Sequence, residues 1–232
     1  MSKSLATTSV SDYAALKSDA LGIISENLKN QPLSHAMFDV VKSPSGGATA
    51  FSVPSLSGDE MVKELTGIIL DYKTPRAYWK TADPVEGQSP DCYSSDSIVS
   101  SDGKPCARCT FNDFGTKNGG ETNAKACKES VELYLLRPDN IMPLIVRIPV
   151  SSKILFQKYM TRLTGSMIPL CGVVTKITLD KTTSKAGKPY AQYKFETVAA
   201  LSVKDVASAR AFGQKFSEIL NAVDVPEIEE AV

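Results

Sequence analysis

Histidine is nearly absent from this chain: His35 is the only one among 232 residues. Tryptophan is equally scarce, with Trp79 alone. One histidine leaves little for general acid–base catalysis or for imidazole metal sites. A Walker loop, a Gly-x-Gly-x-x-Gly after a strand and a His-Glu-x-x-His are all missing. The isolated Asp-Gly and Gly-Gly pairs read as turns. No convincing carboxylate pair stands out, so the expectation is a protein that is not an enzyme. Long apolar runs are also lacking. None approaches the ~18 residues of a membrane span, which argues against a membrane partner. The first residues, Met1-Ser-Lys-Ser-Leu-Ala6, lack the apolar stretch of about 7–15 residues in a secretory signal. A cytosolic chain with reduced thiols is therefore expected.

What is present begins with enough apolar sequence, 42%, to build a real core. The formal net charge is zero but unevenly spread. Residues 61–201 carry 19 Lys plus Arg against 14 Asp plus Glu, a net of +5. The last nine residues, Asp224-Val-Pro-Glu-Ile-Glu-Glu-Ala-Val232, carry four acids and no base. A basic body with an acidic tail recurs in nucleic-acid-binding proteins, although weakly basic bodies are also common in ordinary ones. The tail can recruit a basic partner, compete with nucleic acid for the body, or simply be a solvated terminus.

Four of the five cysteines fall within 36 residues: Cys92, Cys106, Cys109 and Cys127. The inner pair, Cys106-Ala-Arg-Cys109, has the spacing of a zinc knuckle. Between the outer cysteines the sequence is mostly small and polar, with Ile98, Val99, Phe111 and Phe114 as its few larger apolar residues. So little apolar surface cannot offset the entropy of ordering the backbone. A structural zinc on the four thiolates contributes its binding energy to folding, on the order of 10 kcal/mol for a small finger. Two disulfides, a redox Cys-x-x-Cys and free thiols remain open. A catalytic zinc is disfavoured because four thiolates leave no open position. Cys171 and the distant His35 are not expected among the ligands.

Hydrophobic periodicity predicts a helix from Ser11, as N-cap, to Asn30, and short strands near Met37–Val41 and Thr49–Val53. A long strand is expected over Val62–Tyr72, with a bulge or bend at Gly67, and Arg76–Lys80 either continues it or forms a second strand. Val131–Leu136 and Leu144–Ile148 flank Pro138-Asp-Asn140, a strong hairpin signal. Ser151-Ser152 is expected to cap a helix to about Arg162. A hairpin of Cys171–Leu179 and Tyr190–Val198 follows, then a helix over Val203–Ala222. The expected organisation is an N-terminal helix and connector over 1–60, a core over 61–201 with the cysteine-rich insertion at 85–128, and a C-terminal helix with acidic tail over 202–232. About five short antiparallel strands with one interposed helix suit a small Greek-key barrel of the OB type, an α+β, β-rich class. An open α+β sheet is the alternative.

Two constellations mix aromatic rings with cations. Tyr72, Tyr78 and Trp79 lie near Lys73, Arg76 and Lys80. Tyr190, Tyr193 and Phe195 lie near Lys188 and Lys194, in a hairpin that also holds Lys176, Lys181 and Lys185. Rings that stack on bases, at ~1–3 kcal/mol each, together with cations that neutralise phosphates make a single-strand platform. The plainer reading places about half of these rings in the core and leaves the lysines as a soluble, aggregation-resistant hairpin.

Several stretches in order resemble a family of bacteriophage and prophage proteins: Trp79, Pro90-Asp91-Cys92, Asp102-Gly103, Cys106-Ala-Arg-Cys109, Asn112-Asp-Phe114-Gly115, Lys125-Ala-Cys127-Lys128, Leu133-Tyr-Leu-Leu136 and Val174-Thr175-Lys176. The likeness covers roughly residues 61–200. Asn123-Ala124 stands before the fourth cysteine where that family has a glycine-rich approach. The resemblance implies phage DNA metabolism in the cytoplasm of an infected bacterium. It further implies single-stranded DNA binding in replication or recombination, by an OB-like domain with a zinc-bearing insertion. Phage replication or recombination proteins met through the acidic tail, and a homo-oligomer, are the partners it suggests beyond the DNA. A zinc-stabilised protein–protein adaptor and a single-strand annealing factor that assembles through its terminal helices are the competing readings.

Overall fold

The computed structural model describes residues 6–8, 13–16, 20–29, 31, 34–41, 44–81, 88–117, 123–184 and 187–221. In chain order the strands are β1 (Ala6–Thr8), β2 (Val40–Val41), β3 (Phe51–Val53), β4 (Glu60–Val62), β5 (Glu64–Lys73), β6 (Arg76–Tyr78), β7 (Cys92–Ser94), β8 (Lys128–Leu136), β9 (Leu144–Pro149), β10 (Val173–Thr183) and β11 (Pro189–Leu201). The helices are α1 (Ala20–Leu28), α2 (Val150–Gly165) and α3 (Val203–Asn221). The class is α+β and strand-rich, with a curled mixed sheet resembling half a barrel. No described helix is long and apolar enough to cross a membrane.

β5 is the strand on which the sheet is built. It pairs antiparallel with β8 on one side and β10 on the other. β9 continues from β8, and β11 from β10, both antiparallel. Among the described residues no ladder joins β9 to β11, so the curl stays open; β2 lies parallel on β9 instead. β1 lies parallel on β11. Gly67 is not the bulge: the register shift in β5 falls between Ile69 and Asp71. A Cβ on Gly67 would stand 2.3 Å from the Leu136 carbonyl oxygen, so its role is to let two backbones approach.

Two apolar clusters lie on opposite faces of this sheet. Period-two alternation in β8 sends Val131, Leu133 and Leu135 to one and Tyr134 and Leu136 to the other. On the first face α2 presents Ser152, Phe156, Tyr159 and Leu163, spaced four, three and four residues apart along one stripe. On the second, α3 presents Ala209, Phe212 and Phe216, beside Tyr13, Ile24 and Phe38. Phe38 meets the Phe216 and Tyr134 rings edge-on at 5.2 and 6.5 Å. His35 reaches Glu132 at 3.0 Å, and Glu132 also takes Arg147 at 2.9 Å, a buried ion network on β8 and β9.

Local readings change in four places. The expected Ser11–Asn30 helix is a 3-10 turn at Ala14–Leu16 followed by the shorter α1, and Ser11 lies outside the described residues. Of the predicted Met37–Val41 strand only Val40–Val41 is strand; Met37 ends a 3-10 turn. Pro149, not Ser151 or Ser152, caps α2, because the Ser152 hydroxyl accepts the Tyr193 backbone N–H. The last hairpin is longer than its apolar residues suggest, since Lys181, Thr182 and Thr183 keep the ladder with Ala191, Tyr190 and Pro189.

Candidate functional site

The cysteine-bearing lobe is inserted between β5 and β8. β6 pairs with both β7 and the start of β8, which roots the lobe on the sheet. The chain then turns on polar side chains. The Asp96 carboxylate accepts the backbone N–H of Ile98 and Val99, and these bonds hold its carboxyl below the usual carboxylate range. The Asp102 carboxylate takes the Lys104 ammonium at 2.6 Å and the Ser100 hydroxyl, and its pKa falls to about 2. Asn112 Oδ1 accepts from Arg76 and from Lys125, while Asn112 Nδ2 donates to the Cys106 carbonyl. Apolar support is thin: Ala77 and Trp79 with half-buried Tyr93.

This frame brings the four predicted cysteines around one cleft of about 600 Å³. Cys92 stands on β7, opposite Tyr78. Cys106–Arg108 form a 3-10 turn, and the Cys109 N–H closes on the Cys106 carbonyl. In a 3-10 turn residues three apart eclipse, so Cys106 and Cys109 lie on one side. The Cys127 N–H bonds the Phe111 carbonyl at 2.9 Å, and the Cys106 N–H bonds Ile98. All four are unbridged thiols. Burial pushes Cys127 up to about 11, against the pull of the Arg76 guanidinium. Burial and the Asp102 carboxylate also raise Cys92, whose sulfur is 4.0 Å from Asp102 Oδ1. The sulfurs rim the cleft rather than meet: among the described residues no three His, Cys, Asp or Glu side chains form a metal-holding group. Cys171 is buried in the second core cluster, and His35 is bound to Glu132 away from the cleft.

The expected stacking rings and cations divide. Trp79 is only 8% exposed, and its indole N–H donates to the Gln88 carbonyl at 3.0 Å. It offers no open face to a base, which corrects its expected place in a stacking platform. Tyr78 is already stacked on Phe111, centroids 4.0 Å apart. Arg76 is paired with Glu129, and Lys80 lies 3.6 Å from Asp91. Lys176 pairs with Glu196 and Lys194 with Asp180, so the outer face of the β10–β11 hairpin largely balances its own charge. Tyr72 is exposed beside half-buried Lys73, with its ring edge on Phe156. Lys181 and Lys188 are exposed and Tyr190 is half-buried near the hairpin turn, whereas Lys185 lies outside the described residues, as does the acidic tail. Tyr193 is fully buried and Phe195 packs beside it.

Two rings that were read only as scarce apolar residues emerge on the lobe surface. Phe111 is 41% and Phe114 73% exposed, and the Lys125 ammonium sits 4.7 Å from the Phe114 centroid. Their signal was present in the sequence: large rings in a segment too polar to bury them must face outward or pair with each other. No family model, curated protein or solved structure matches the chain.

Proposed function

We propose that this protein binds single-stranded nucleic acid without catalysing a reaction, through an OB-like domain. The observation that carries the reading is connectivity. The order β5-β8-β9-α2-β10-β11, with β5 paired to both β8 and β10, follows an OB barrel left open between its third and fifth strands. On that correspondence the cysteine lobe is the loop between the first and second strands. The Lys181–Lys188 turn is the loop between the fourth and fifth. These are the two loops with which OB domains grip oligonucleotides. On this reading the two stretches singled out by sequence correspond to the two loops with which that fold class binds its ligand, which supports the proposal.

The second- and third-strand face, the other usual surface, is covered here: Tyr134, Leu136 and Ile145 pack under Phe38 and α3. The loops therefore carry the contact, with Phe111, Phe114 and Tyr72 as open rings and Lys181, Lys188 and Arg108 as cations. The phage-family resemblance supports DNA as the strand, in replication or recombination within an infected bacterium. The test is anisotropy of labelled single-stranded DNA, single-stranded RNA and duplex over a salt series. Single strands should bind more tightly than duplex, with a log–log salt slope of about −0.7 per phosphate neutralised. Binding to no nucleic acid, or binding indifferent to salt, rejects the proposal and leaves the adaptor reading. Measuring particle size with and without DNA identifies an annealing assembly.

A further inference from the structure

Four thiols from three separate segments converge on one cleft, and each segment is held there by backbone bonds that involve no sulfur. Cys92 is fixed by the β6–β7 ladder, Cys106 by Ile98, and Cys127 by Phe111. The cleft has a charge pattern suited to an anion. Arg76, Lys80, Lys104 and Arg108 line it, with Glu129 on Arg76, Asp91 near Lys80 and Asp102 on Lys104. Zinc held by four thiolates carries a net charge of −2, which the cations of this lining partly offset. One donor also waits. The Arg76 Nε–H is buried with no hydrogen-bond partner, although both terminal nitrogens of the same guanidinium are engaged. A thiolate sulfur at the cleft accepts such an N–H, and second-shell donors of this kind orient metal ligands. Against these features the lobe has almost no apolar core of its own.

We propose that Cys92, Cys106, Cys109 and Cys127 bind one zinc ion in a closed tetrahedral site that holds the lobe together. Four thiols and one Zn²⁺ give a tetrathiolate complex and release four protons; nothing is oxidised or reduced. Zinc fits better than a softer or redox metal because the site is all sulfur, its knuckle spacing suits a tetrahedron, and no open position is needed. Cys171 takes no part.

The inference stands apart from nucleic-acid binding, and its test reads metal directly. Protein purified under reducing conditions without chelator should contain one zinc per chain by elemental analysis. Replacing the zinc with Co²⁺ should produce the thiolate-to-cobalt charge-transfer band and the visible bands of tetrahedral cobalt. A thiol reagent should titrate one cysteine in the native zinc form, or none if Cys171 stays shielded, and five after denaturation with chelator. Cys171→Ser should leave zinc content unchanged, and Cys109→Ser should lower it by at least tenfold under dialysis. Because Cys109→Ser can unfold the lobe, the cobalt spectrum and thiol count of the unaltered chain decide the matter. No stoichiometric zinc, octahedral cobalt spectra, or intramolecular disulfides among these four cysteines by mass would overturn the proposal.

Discussion

The sheet and the cysteine lobe are stabilised in opposite ways. β8 is buried over six consecutive residues, Val131–Leu136, between two apolar clusters. Among its described residues the lobe over 92–127 buries Ser94 and Cys106 but no large apolar side chain, and its turns are fixed by Asp96, Asp102 and Asn112. Burial scales with area and is shared by the whole domain, whereas turn bonds net only about 1 kcal/mol each against water. The body therefore folds as a cooperative unit, and the lobe needs a local constraint to keep one conformation. That difference explains how a polar insertion of this length can be carried without a core of its own.

The largest expected effect separates the two regions outright. Chelation under reducing conditions should abolish hydrogen-exchange protection across residues 92–127 while β5, β8, β9, β10 and β11 retain theirs. If exchange rises equally in both regions, the lobe and the body are one cooperative unit and the contrast fails. Affinity for single strands should drop with the lobe, because Phe111 lies between the proposed ligands Cys109 and Cys127 and loses its position.

Next come two aromatic truncations of similar size. Phe156→Ala empties a fully buried site between α2, Tyr72 and Phe195, and should cost about 3–5 kcal/mol of global stability in urea. Trp79→Ala removes the larger ring but from a cluster that, among the described residues, holds only Ala77 and Tyr93 beside it. It should loosen the lobe and move the global midpoint less than Phe156→Ala does. Equal shifts would show that the lobe's small cluster is part of the main core.

How legible these regions were in the sequence follows the same division. The β8–β9 hairpin was readable because Pro138-Asp-Asn140 sits between two continuous apolar runs. The cysteine frame was readable because a Cys-x-x-Cys spacing becomes a 3-10 turn with both sulfurs on one side. Trp79 was not, because its burial depends on Tyr93 and the Gln88 carbonyl, partners supplied by the insertion rather than by its own strand. The hairpin lysines were misleading for a related reason. Lys176 lies directly across the ladder from Glu196, and Lys194 reaches Asp180 on the partner strand, pairings that only the register reveals. The cap at Ser151–Ser152 failed because a residue 41 positions away, Tyr193, claims the Ser152 oxygen.

A pH effect confined to the body is the third expectation. Burial pushes the Glu132 carboxyl up, but His35 and Arg147 outweigh it and hold it below its ordinary 4.5. Its folded value thus lies under its unfolded one. The stability it contributes is complete above pH ~4.5 and disappears as pH falls through the folded value. Urea midpoints of the unaltered chain should fall along that acid limb, and Glu132→Gln should flatten the limb while lowering stability at neutral pH, where the buried Arg147 loses the Glu132 charge. An unchanged acid limb in Glu132→Gln would assign the loss to other carboxylates.

The smallest expected effects test the two loops proposed to meet the strand. Lys188 is exposed on the turn between β10 and β11, and Phe114 is the most open ring among the described residues of the lobe. A phosphate contact is paid in released counterions, so Lys188→Ala should weaken single-strand binding for every sequence alike and reduce the salt slope by about 0.7. A stacking contact releases none. Phe114→Ala should therefore lower affinity at each salt concentration by about 1–3 kcal/mol and leave the slope unchanged. Lys176→Ala serves as the internal reference, because its charge is spent on Glu196 and its loss should alter neither quantity much. If Lys176→Ala shifts the slope as far as Lys188→Ala, the outer face of the hairpin contacts the strand despite its paired charges. If Phe114→Ala binds normally while remaining folded, the lobe supports the interface without touching the bases.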